Sequence, residues 1–350
     1  MAVAACIVLV ALVALEGWLH HYPLRDATLD AAVADSNDLI TRAMHLALTS
    51  DRERGPIVAA IGGSISHAIY GTPSDFEAQL TALGAPNHFL SLVTTGQTAT
   101  EALALASSLT LPRGSMLLVQ ISADRLLGVD EAERVSAERP RMPFLDYGAA
   151  RAEQGASAHD LRPMLLVSRN WLGYYARRRA EEPYRACRRA EGGRVRCVVT
   201  GIAGAFARRT GGISDAGQAA PLDLQDKLLR RRQYELVYAA RERTPSSIAT
   251  REFARLAVLG RDRGWRVVFV HYPVDPLWRP VIAGYDSLLN QRIGELQSLG
   301  ATYLDLRDAA GFGSDDFFDL EHVTTAGSEH LTRLLAQWVA HEMTSTTMQP

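Results

Sequence analysis

The stretch Pro56-Ile57-Val58-Ala59-Ala60-Ile61-Gly62-Gly63-Ser64 decides how the fold is read. Its apolar run is too short for an amphipathic helix and shows no polar alternation. A run of this kind that ends in two glycines and a serine predicts a strand buried on both faces, opening into a tight turn. Ser64 then stands at the carboxyl end of that strand, with glycines beside it that let the backbone bend sharply and a ligand come close.

Reading outward, the same alternation recurs. Ser74 to Leu83 is expected as a helix, with Ser74 as N-cap and Glu77 completing a capping box. His88 to Val93 is the next strand, Thr98 to Leu109 a helix, and Ser115 to Ile121 (SMLLVQI) another buried strand. After a long interval come a helix near Ser247 to Leu259, a strand at Trp265 to Val270 and a helix near Tyr285 to Leu299. A strand at Thr302 to Leu306 and a last helix from Thr325 to about His341 complete the series. Strands separated by helices predict a parallel sheet covered on both sides, an α/β fold of three α/β/α layers. Between 126 and 249 the alternation breaks down among prolines, glycines and arginines, and this range is read as an insertion in a domain spanning 56–345.

Residues 2 to 15 (AVAACIVLVALVAL) are uninterruptedly apolar, and the stretch continues through Trp18 and Leu19. Residues 1–22 are therefore expected to be a membrane anchor or signal segment, with the uncleaved transmembrane anchor favoured because no small-x-small cleavage site follows. The helical periodicity from Leu29 to Leu48 makes 23–55 a linker helix. No Lys or Arg precedes the apolar segment and Arg25 follows it, which reverses the usual charge order for an exported C-terminal domain. Cys187 and Cys197 flank Glu191-Gly192-Gly193 almost symmetrically, so a hairpin there would pair them in an oxidising compartment; two separate thiols are the alternative. No Cys/His spacing suits a structural zinc site, so neither metal nor other cofactor is expected.

The formal net charge of -2 supplies no field for nucleic acid. Nearly all basic residues are arginine, with Lys227 the single lysine. The arginine clusters at 177–179 and 188–189 are read as solvated faces, with contact to an anionic glycan the less favoured reading.

Strand ends are where such sheets keep their chemistry. A serine hydroxyl needs an imidazole to take its proton, and the imidazole needs an acceptor for its other nitrogen. Ser64 is the candidate nucleophile. His322 and Asp319, three apart in DLEH, are the candidate base and orienting acid, at a spacing that can bring both to one side of a turn. Ser66 is a rival nucleophile if the register shifts by one turn. His67 and His271 are read as packing or hydrogen-bonded histidines. Asp124 is read as an ion-pair partner of Arg125, with a place at the oxyanion site the less favoured reading.

GGSIS at 62–66 resembles the nucleophile block of the SGNH (GDSL-like) hydrolases, and DLEHVTTAG at 319–327 resembles their terminal DxxH block. The likeness covers about residues 56–130 and 250–340. It implies a flavodoxin-like sheet, catalytic Ser64, Asp319 and His322, and an oxyanion donor at Gly96 of TTGQTATE. Gly63 stands where that class usually has aspartate. The third block, normally GxND, reads Ile121-Ser122-Ala123-Asp124, so the asparagine donor is missing and Ser122 is the side-chain donor left near its place. Losing one oxyanion donor typically costs about 10²- to 10³-fold in rate. The N-terminal segment and the strand ending His271-Tyr272-Pro273 are similar to the membrane-anchored branch that includes alginate O-acetylation proteins and the teichoic-acid D-alanyl transfer protein. That branch implies an esterase or O-acyltransferase outside the cytoplasm, acting on an acylated envelope polysaccharide, with a membrane-bound O-acyltransferase as partner. Hydrolysis and transfer stay open, as does a non-catalytic carbohydrate-binding or assembly role.

Overall fold

The computed structural model describes residues 10, 11, 14, 55–70, 73–85, 88–93, 97–126, 222–240 and 246–346. The chain divides into two compact units, Met1–Thr41 with Ala156–Ser214, and Arg42–Gly155 with Asp215–Pro350. Every strand and helix named below belongs to the second. The linker helix, the loop Thr94 to Gly96, both candidate disulfide cysteines and the arginine clusters lie outside the described residues, as does nearly all of the expected anchor. Among the described residues no helix is long and apolar enough to cross a membrane.

Five strands form one sheet: β1 (Val58–Gly62), β2 (Phe89–Val93), β3 (Met116–Gln120), β4 (Arg266–His271) and β5 (Thr302–Asp305). All neighbours are parallel, in the order β2-β1-β3-β4-β5. This is the flavodoxin-like order, and its reversal between β1 and β3 opens a crevice at the carboxyl ends of those strands. The register places Gly62 beside Val93, Ile61 beside Val119 and Gln120 beside Val270, so the loop after β1 sits in that crevice.

Nine helices are described: α1 (Ser64–Tyr70), α2 (Pro73–Ala82), α3 (Ala99–Ser108), α4 (Ala123–Leu126), α5 (Leu224–Ala240), α6 (Ser247–Arg263), α7 (Arg279–Ile282), α8 (Asp286–Ser298) and α9 (Thr325–Thr346). Alternate strand residues divide between two cores, as the pleat requires. Val58, Ala60, Met116, Leu118, Val268 and Val270 share one with Phe76 and Leu80 of α2 and Leu331, Leu335 and Val339 of α9. The intervening residues, also buried, turn to α3 and α6, where the ring of Phe253 meets that of Phe269 edge-on at 5.6 Å. Helices thus cover both faces. A Cβ on Gly260 would lie 2.1 Å from Val267 Cγ2, so a glycine there lets α6 approach β4 closely. Gly264, at φ 70°, ends the same helix in the left-handed conformation that favours glycine, and Trp265 N donates back to Gly260 O at 2.8 Å.

The expected strands agree with the observed ones to within a residue or two. The capping box differs. Helix α2 starts at Pro73, and Glu77 accepts the N–H of Phe89 at 2.8 Å, tying the helix to β2. The box belongs to α3, where Thr98 Oγ1 accepts Glu101 N and Glu101 accepts Thr98 N. Within the range read as an irregular insertion, α5 is a regular helix of 17 residues. Its exposed side carries Leu224, Leu229 and Leu236 while Lys227 is buried, so apolar periodicity does not mark its inner face.

Candidate active site

Ser64 opens α1 immediately after the glycines that end β1. Gly62 has a local cause: a Cβ there would fall 2.1 Å from Ser66 Oγ, so no side chain fits under the returning helix. Gln120, the last residue of β3, holds this turn from the next strand. Its Oε1 accepts Gly63 N at 2.8 Å and Ser66 Oγ at 2.8 Å. Ser66 is fully buried and engaged with Gln120, while Ser64 is half-buried and points to His322. As the first residue of a helix, Ser64 leaves its N–H without an intrahelical acceptor.

The candidate acid and base, Asp319 and His322, come from the loop between β5 and α9. The turn expected from the spacing is closed by an antiparallel bridge between Phe317 and Val323, with Phe318 N donating to His322 O at 2.7 Å. The closure brings Asp319 and His322 to the same side. His322 Nε2 lies 2.8 Å from Ser64 Oγ, and His322 Nδ1 lies 3.0 Å from Asp319 Oδ2. Asp319 also accepts the N–H groups of Glu321 and His322, both at 2.8 Å, and Arg230 Nη1 at 2.8 Å. Those donors fill the lone-pair sites of the carboxylate, so it has little freedom to rotate.

Electrostatics follow from this packing. Burial works against the charge on Asp319, yet the hydrogen bond and charge of His322 and the two backbone N–H groups outweigh it and bring its pKa down to about 2. Burial likewise works against an imidazolium at His322, and Arg230 opposes it too. The Asp319 hydrogen bond and charge, with Glu321, prevail and raise the His322 pKa. A base of this kind accepts a proton from Ser64 and is stabilised once it holds it.

Ser122 is buried just past β3, and among the described residues its Oγ has no hydrogen-bond partner. It lines a small pocket with Ile65, Tyr238, Trp278, Ile282 and Glu321, directly beside the nucleophile turn and the acid–base loop. Gly96 lies outside the described residues, as do the side chains of His67 and Asp124. Arg125, expected to pair with Asp124, donates to Gln120 O at 2.7 Å and to Gln97 O, bridging the ends of β3 and the loop before α3. His271 is buried beside Tyr303, 3.4 Å from its hydroxyl, and burial followed by the Arg307 charge pushes its pKa down to about 3. It is neutral at ordinary pH. Among the described residues no group of His, Cys, Asp or Glu is arranged to hold a metal ion.

Three residues at the site escaped the sequence reading. Gln120 carried one signal, a polar residue ending an otherwise apolar run. Lys227 and Arg230, from α5, carried another: with Tyr234 and Tyr238 they recur at helical spacing.

A serine, histidine and aspartate joined in this order at the carboxyl edge of a parallel sheet form a relay that serine-nucleophile enzymes use on several unrelated folds. No family model matches the sequence, and no curated protein matches it. One similar solved structure is a phospholipase A1 from Streptomyces albidoflavus NA297, 14% identical, covering 81% of this chain and 99% of that one at a TM-score of 0.37. A likeness of that size carries no argument about fold or function.

Proposed function

We propose that the chain is an SGNH-like serine esterase or O-acyltransferase that works through an acyl-Ser64 intermediate. The observation that carries the reading is the unbroken relay from Ser64 Oγ through His322 to Asp319, at 2.8 and 3.0 Å. In the proposed reaction Ser64 Oγ attacks the ester carbonyl while His322 Nε2 takes its proton. The tetrahedral oxyanion is met by the Ser64 N–H, by Gly96 and by the Ser122 hydroxyl, which has no partner among the described residues. His322 then returns the proton to the leaving alcohol, and water or a second hydroxyl takes the acyl group from Ser64.

The substrate we propose is an ester on an exported or envelope polysaccharide, with residues 1–22 as tether and a membrane-bound O-acyltransferase as the upstream partner. The support is the sequence resemblance described above. The SGNH assignment has a second support, the strand order with its crevice between β1 and β3.

The test is labelling with a fluorophosphonate and turnover of p-nitrophenyl acetate by wild type, Ser64→Ala and Ser66→Ala. Labelling of wild type and Ser66→Ala but not Ser64→Ala is the expected result. Absence of wild-type labelling, where a known serine esterase labels, would remove the covalent mechanism and leave a binding role. Labelling that survives Ser64→Ala would move the nucleophile elsewhere.

A further inference from the structure

Helix α5 contributes nothing to the sheet, yet its inner face is spent on the loop that carries Asp319 and His322. Lys227, the single lysine of the chain, has only 4% of its side chain exposed and faces Asp275, which has none. Its ammonium donates to Asp275 Oδ2 at 2.8 Å, Ser314 O at 2.6 Å and Phe317 O at 2.8 Å. Three close acceptors match the three protons of an ammonium; the planar fork of arginine would not fit them. Asp275 is held in turn by Ser314 Oγ at 2.7 Å and by Leu277 N at 2.8 Å, and its own N–H donates to Leu320 O at 3.0 Å. Leu222, just before α5, donates to Phe318 O at 2.9 Å. One turn beyond Lys227, Arg230 reaches Asp319 itself. One and two turns further, Tyr234 and Tyr238 meet the buried Trp278 ring edge-on at 5.4 and 5.2 Å, and Trp278 Nε1 donates to Glu321 at 3.2 Å.

We propose that α5 is a working part of the active site, in which Lys227 is a positioning residue locking the loop that presents Asp319, and Arg230 a positioning residue sharing Asp319's carboxylate with His322. The proposal rests on the reading of Ser64, His322 and Asp319 as the reacting relay. The charged groups facing His322 are Asp319 and Glu321 from its own loop and Arg230 from α5. Arg230 disfavours the imidazolium, so a neutral residue at 230 makes His322 easier to protonate. The Lys227–Asp275 pair has no net charge; removing both charges together therefore acts on His322 through geometry alone.

The experiment follows the His322 ring by NMR titration of the full chain, its signal assigned among the ten histidines by loss in His322→Gln. Arg230→Gln is expected to titrate at higher pH than wild type, and Arg230→Lys to titrate as wild type does. The double variant Lys227→Met/Asp275→Asn is expected to titrate at lower pH, because a loosened loop no longer holds Asp319 against the imidazole. Where p-nitrophenyl acetate is turned over, kcat of Arg230→Gln falls roughly two- to fivefold, the scale of a partly exposed ion pair, with KM little changed. A His322 titration unmoved in Arg230→Gln overturns the proposal. Should the double variant fail to melt cooperatively, the Arg230 pair decides alone, since that side chain is 37% exposed and its replacement leaves the core intact. A wild type that neither labels nor turns over ester, but whose His322 titration moves as stated, removes the esterase reading and keeps the coupling to α5.

Discussion

His322 can take the proton of Ser64 only when neutral, and Asp319 raises its pKa above the ordinary histidine value of 6.5. The sign follows directly: below that raised pKa the base is already protonated, so kcat/KM should climb with pH through an acidic limb lying above 6.5. Asp319, down at about 2, stays ionised throughout and adds no limb of its own in this range. Asp319→Asn removes the anion that favours the imidazolium. It should lower kcat/KM roughly 10³- to 10⁴-fold, by analogy with the loss of the buried aspartate in serine-protease triads, and move the remaining limb to lower pH. A pH–rate profile of both proteins checks this; an unmoved limb would assign it to another group. Ser64, Asp319 and His322 were legible as candidates because nucleophile, acid and base are few residue types at informative spacings, and the structure brings the three together. Gln120 was not, since nothing local says that the end of β3 will face the Gly63 N–H of the neighbouring strand's turn.

Among the elements, short buried strands were the easiest to read, because strands covered on both faces carry unbroken apolar runs. Helix starts were harder. The pattern at Ser74 looked like a cap, but Glu77 was taken by Phe89 of the neighbouring strand, a tertiary claim on a side chain that local sequence cannot foresee. Packing of α6 on β4 offers a test at this scale. Gly260→Ala forces a Cβ against Val267 Cγ2 and should destabilise by about 1–3 kcal/mol, the usual cost of overpacking. Val267→Ala in the same chain should recover part of that loss by removing the clashing methyls. Urea midpoints of the two variants measure the effect, and a double variant less stable than Gly260→Ala would place the strain elsewhere.

Over the whole molecule, the buried Lys227–Asp275 pair links the range read as an insertion to the loops after β4 and before α9. Lys227→Met alone leaves an uncompensated carboxylate in a site without water access and should cost roughly 3–5 kcal/mol. Thermal unfolding should show a lower midpoint, and adding Asp275→Asn should restore much of it. From the sequence alone came the parallel α/β sheet, because burial on both faces writes itself into local composition, and the candidates Ser64 or Ser66, Asp319 and His322, because proton relays use few side chains. Only the tertiary structure decided that Ser64 rather than Ser66 faces the imidazole, since that choice depends on Gln120 from another strand. It alone also showed that α5 reaches Asp319, because ion pairs between residues some 90 positions apart, as Arg230 and Asp319 are, leave no local periodicity to read.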